Sequence, residues 1–86
     1  MDMEITTALS ARRHCDKLRN DLKTIRYNPD LHKMLKNIES MCTELSKLET
    51  TCRHHTKRYQ LEEPSKKVEE SLNHLEKLIL IAKLMD

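Results

Sequence analysis

The sequence predicts an all-α fold, an antiparallel three-helix bundle with coiled-coil-like packing around a long central helix. Three observations carry that expectation. The chain has 86 residues and no glycine, which removes the Asn-Gly and Asp-Gly hairpin turns and the phosphate-cradling loops of nucleotide-binding folds. Strand-favouring residues are scarce, with no Phe or Trp, one Val and five Ile, whereas Leu, Lys, Glu and Met are abundant and all favour helix. Apolar residues also recur at three- and four-residue spacing in three segments, separated near the only two prolines, Pro29 and Pro64.

The first segment, residues 3–27, places Ala8, Ala11, Cys15, Leu18, Leu22 and Ile25 on one seam, with Ile5 and Leu9 beside it. This seam is thin at its alanine end. Asn28-Pro29-Asp30 then supplies a capping side chain, a first-turn proline that loses no hydrogen bond, and an acid facing the positive end of the helix dipole.

The second helix, residues 29–60, has the strongest periodicity. With Leu31 as position a, the a and d series reads Leu31, Met34, Ile38, Met41, Leu45, Leu48, Cys52, His55 and Tyr59, and contains no Asp, Glu, Lys or Arg. Leu35 and Cys42 widen the stripe, as suits a helix that touches two neighbours. At about 30 residues it is the longest helix, ~45 Å by its rise per residue. A short turn at Tyr27-Asn28 makes helix 1 antiparallel to it, with Leu22 and Ile25 meeting Leu31 and Met34 and the alanines passing Leu45 and Leu48.

Helix 3, residues 64–85, begins at Pro64 or is capped by Ser65, and carries Val68, Leu72, Leu75, Ile79 and Ala82 at heptad spacing. Returning along helix 2, it brings Val68 near His55. From Leu75 to Met85 apolar residues surround the whole helix, more than a three-helix bundle covers. Leu78, Leu80, Ile81, Leu84 and Met85 are therefore the candidate partner-binding residues. The alternative is that the bundle buries them itself, with helix 1 shifted over them. The absence of a helix-stop signal at Asp86 fits a piece of a longer protein.

These helices compose one domain, 1–86. Such a chain buries only roughly 60–65% of its unfolded surface, so its core is marginal unless packing is efficient or a partner shares it. Sixteen Lys and Arg oppose fourteen Asp and Glu, a net charge of +2 that does not by itself point to a polyanion. Residues 61–86 form the acidic third, which favours their packing against the other two. Three cysteines, an odd number, with no signal-peptide pattern and no long apolar run, point to a reducing intracellular setting, cytoplasmic or nuclear, and to no membrane partner.

Candidate chemistry is sparse. Cys52 and His55 share a helical face as a thiolate and base would, but both lie on the core seam, and no enzyme, small-molecule substrate or cofactor is expected. Neither a CxxC nor an HxxxH pair is present, so no metal is expected. Arg53, Lys57 and Arg58 crowd two histidines and Tyr59. Two readings fit them: a small anion-binding patch with Tyr59 to stack, or cations offsetting a helix C-terminus. Glu62 and Glu63 follow and weaken the first.

The run Asn28-Pro29-Asp30-Leu-His-Lys33-Met-Leu35-Lys36-Asn-Ile38-Glu-Ser-Met41 resembles the second helix of the transcription elongation factor S-II N-terminal domains and the related integrase-binding domain of lens-epithelium-derived growth factor. Lys17-Leu18-Arg-Asn-Asp21-Leu22-Lys23 is similar to their first helix, and Lys57-Arg58-Tyr59 to the basic-aromatic end of a later one. The likeness covers about a third of the chain. It departs after Met41, where the family inserts a turn and short helix and this sequence continues its heptads. The resemblance implies a nuclear scaffold, without enzyme activity, that docks short motifs of transcription or chromatin proteins.

The functional expectation is a non-enzymatic protein-protein interaction module, a scaffold, adaptor or oligomerisation domain. It docks a second copy or another subunit's helix through apolar surface. The competing class is a small nucleic-acid-binding module using Arg12, Arg13, Arg19, Arg53, Lys57 and Arg58.

Overall fold

In the computed structural model, residues 7–55 and 61–85 are described, with side chains described for 7–51 and 61–85. Three helices pack pairwise: α1 (Ala8–Leu22), α2 (Pro29–His55) and α3 (Glu62–Met85). No described residue forms a strand. No helix among the described residues is long and apolar enough to cross a membrane.

Helix α1 starts at a reciprocal cap. Thr7 Oγ1 accepts from the Ser10 amide and Ser10 Oγ accepts from the Thr7 amide, each at 3.1 Å, satisfying donors that have no partner inside the helix. The helix ends at Leu22, five residues before the predicted boundary at residue 27. The Lys23 amide turns back to the Asn20 carbonyl, and the Thr24 hydroxyl donates to the Asp21 carbonyl at 2.7 Å, which closes the helix into a turn. Its start also differs from the predicted residue 3, because Thr7 is extended and serves as the cap.

The predicted cap of α2 is present. Asn28 Oδ1 accepts from the amides of Asp30 and Leu31, at 3.0 and 3.3 Å. The described helix continues to His55; its predicted extension through 56–60 lies outside the described residues. Helix α3 begins at Glu62, two residues before the predicted start. Pro64 still falls among the first four positions, where a missing amide proton costs no helical hydrogen bond. Ser65 is therefore inside the helix and buried rather than a cap.

Register follows from bonds between helices. Ala8 meets Glu49, Arg12 meets Thr43, Cys15 meets Cys42, and Arg19 meets Glu39, so α1 and α2 are antiparallel. Glu76 lies 3.5 Å from His14 and 3.4 Å from Lys17, and Lys83 lies 3.5 Å from Asp21. Both numbers rise together in that set, so α1 and α3 run parallel and α2 runs opposite to both. The Lys17–Glu76 pair has the sign expected for the acidic third packed against α1, but at partly exposed positions it is worth only ~0–1 kcal/mol.

The core contains Ala8, Ala11, Cys15, Leu18 and Leu22 of α1, and Val68, Leu72, Leu75 and Ile79 of α3, as their spacing predicts. Ile25 and Ala82 are partly buried against it. In α2 the buried line is Leu31, Leu35, Ile38, Cys42 and Leu45. Met34 and Met41, predicted as seam residues, are only partly buried, and Leu48 is exposed. A helix with two neighbours buries the arc between them, and here that arc is centred one position away from the predicted a/d line. The predicted core positions Cys52, His55 and Tyr59, and the approach of Val68 to His55, rest on side chains outside those described.

Candidate interaction surface

The last turns of α3 present apolar side chains that the bundle leaves open. Leu80 is 54% exposed, Ile81 52%, Leu84 87% and Met85 82%. Leu80 with Leu84, and Ile81 with Met85, are four residues apart and so stack along the helix. Leu78 differs from the other four candidates, being partly buried and packed against the core. The core-facing line Val68, Leu72, Leu75 and Ile79 fixes the rotation of α3, and the Lys83–Asp21 contact ties its last turn to α1. These two restraints hold the four exposed side chains outward.

Beside them runs a shallow groove of about 180 Å3 between α2 and α3, with Met34 and Met41 on one wall and Ser71 and His74 on the other. On α3, His74 and Ile81 are seven residues apart and share a face, so the groove wall continues toward the exposed patch. Methionine side chains adapt their packing to whatever fills such a groove. Periodicity had assigned both methionines to the interior; their position at the margin is the part of this surface that the sequence pattern missed.

Of the basic residues, Arg12 Nη2 donates to Thr43 Oγ1 at 3.1 Å, and Arg19 bonds both Asp16 and Glu39. Their guanidinium groups thus serve contacts within α1 and across to α2, while Arg13 is exposed. Lys57 and Arg58 lie outside the described residues, and so does the side chain of Arg53.

Cys15 and Cys42 are both free and buried, with their Sγ atoms 3.9 Å apart. Burial, reinforced by the neighbouring Cys42, pushes the Cys15 thiol up to about 12. Burial also raises Cys42. Both are therefore protonated packing groups at neutral pH rather than nucleophiles. Among the described residues no group of three or more His, Cys, Asp or Glu is arranged to hold a metal ion.

Compared with known proteins, the chain matches no family model, no curated protein and no solved structure.

Proposed function

We propose that this chain is a non-enzymatic helical interaction module, and that the C-terminal face of α3 docks a helix of a partner, either a second copy or a different subunit. One observation supports this above others: four large apolar side chains within six residues, each more than half exposed. Together they expose on the order of 300–600 Å2, the size at which an apolar patch on a monomer is often functional. Removing such surface from water favours association by roughly 25 cal/mol per Å2, before the cost of ordering two chains is subtracted. The resemblance to the elongation-factor domains supports a related reading, a nuclear scaffold for short motifs, carried by the run from Asn28 to Met41.

The test is Leu80→Asp with Leu84→Asp, followed by circular dichroism and light scattering. The expected result is unchanged helicity with a fall in solution mass toward the 10.2 kDa of one chain, or loss of binding to a captured partner helix. A wild-type mass of one chain at high concentration excludes self-association and leaves a different subunit. Loss of helicity in the variant would make both residues internal core and overturn the reading. Salt distinguishes the competing nucleic-acid module, because apolar docking responds little to ionic strength while phosphate contacts weaken steeply.

A further inference from the structure

The connection between α1 and α2 borders a second concavity, an open cavity of about 630 Å3 to which α3 contributes no residue. Among the described residues its wall carries Arg19, Lys23, Lys33 and Lys36, against a single acid, Glu39. Glu39 is bonded to Arg19, so that pair is close to neutral. Lys23, Lys33 and Lys36 form no salt bridge among the described residues. Three ammonium groups therefore share one cavity without a bonded counter-charge, an arrangement that attracts an anion.

The cavity also has an aromatic side. Tyr27 stands against His32 with ring centroids 5.0 Å apart and planes tilted by 35°. Both rings line the cavity, yet Tyr27 remains 72% exposed. His32 thus backs the tyrosine and leaves most of its surface open to a flat ligand. An acidic peptide would use the lysines and leave this ring idle. A ligand that joins phosphate to a planar base uses both.

We infer that this cavity binds a nucleoside phosphate, its phosphate oxygens held by Lys23, Lys33 and Lys36 and its base stacked on Tyr27. The volume falls in the roughly 300–1,000 Å3 range of small-ligand clefts, and lysine is an established phosphate partner as a point charge. The glycine-free chain has no glycine loop to wrap a phosphate with backbone amides. Recognition here rests on side chains instead, which makes it dependent on salt. The same chemistry is offered by a free nucleotide and by the nucleotides of single-stranded RNA. This site shares no lining residue with the α3 patch and does not depend on the docking proposal.

The experiment is an amide NMR titration of the full chain with ATP, decauridine RNA and inorganic tripolyphosphate. The expected result is a set of shifts centred on residues 19–39, with ATP or the RNA binding at least about fivefold more tightly than tripolyphosphate, the lower end of what one base-aromatic stack supplies. Whichever of the two binds more tightly identifies the source. Tyr27→Ala removes that advantage, and Lys33→Gln with Lys36→Gln weakens all three ligands by about tenfold and flattens the salt dependence. These three side chains are exposed, and unchanged circular dichroism confirms that the variants fold. Tripolyphosphate binding as tightly as the nucleotide ligands, insensitivity to Tyr27→Ala, or shifts absent from residues 19–39 would each overturn the inference.

Discussion

Glu49 sits on the buried stripe of α2 but points its carboxylate at another helix. Its Oε2 accepts the Ala8 amide at 2.8 Å, so the first turn of α1 is capped from α2 as well as by Thr7. The Ala8 amide is one of the four at a helix start without an intrahelical partner. A hydrogen bond to a charged acceptor contributes ~1.5–3 kcal/mol. Because Glu49 is only partly buried, solvent screening lowers the expected loss for Glu49→Ala to ~1–2 kcal/mol. At the size of this chain that corresponds to a fall in Tm of about 4–16 °C. Glu49→Gln keeps an acceptor without its charge and should lose about half as much. Thermal unfolding followed by circular dichroism measures both. Ala8→Pro supplies the decisive partner, since proline suits the first helical position and has no amide proton to donate. In that background Glu49→Ala should cost less by ~1 kcal/mol, read as the coupling energy of a double-mutant cycle. Additive losses, or Glu49→Ala within about 0.3 kcal/mol of wild type, would show that the contact does not hold α1 in place.

Three further outcomes follow from burial. Ile79→Ala should cost ~2–5 kcal/mol in urea unfolding, because Ile79 is fully enclosed, while Leu84→Ala should change stability by no more than about 0.5 kcal/mol; similar losses at both sites would refute the division between core and patch. Ser65 Oγ is buried without a hydrogen-bond partner among the described residues, so Ser65→Ala should raise stability by about 1 kcal/mol, and a comparable loss would mean that the hydroxyl is bonded. Cys15 and Cys42 have thiols raised above their ordinary 9.0 in the folded chain, so the unfolded chain releases those protons first. Their contribution is therefore fully present below pH 9 and is lost as pH rises toward 12; urea unfolding on either side of pH 9 should show a slope that Cys15→Ala with Cys42→Ala flattens.

The helices and the seams of α1 and of the first half of α3 were legible because one side of each is apolar and the other polar. Asn28 and Pro29 likewise marked the start of α2 with local chemistry alone. The phase of α2 was not legible. Leu31, Met34, Ile38, Met41, Leu45 and Leu31, Leu35, Ile38, Cys42, Leu45 both follow three- and four-residue steps, and only the placement of two neighbours decides between them. The larger methionines favoured the first line, yet the small Cys42 is buried against Cys15 because α1 approaches closely there. Glu49 was hidden for a related reason, since an acid on an apolar stripe signals a cap only when another helix start lies opposite. The apolar excess of α3 was visible in sequence, but its separation into partly buried Leu78 and outward Leu80, Ile81, Leu84 and Met85 required the helix rotation. The convergence of lysines on Tyr27 was not legible, because Lys23 lies in the connection with Tyr27 while Lys33 and Lys36 lie on α2, and only folding brings them to one cavity.

The seam of α1 grows from Ala8 and Ala11 through Cys15 to Leu18 and Leu22, and that gradient gives the bundle an opening direction. Releasing the first two turns exposes little more than two methyl groups of α1, whereas releasing the last two exposes two leucines, at ~0.8 kcal/mol for each buried CH2. Helix α1 should therefore peel from Thr7 toward the connection, with Glu49 as its latch. Amide exchange in α1 should slow progressively from its second turn to Leu22, while α2 and α3 stay paired as a hairpin beneath it.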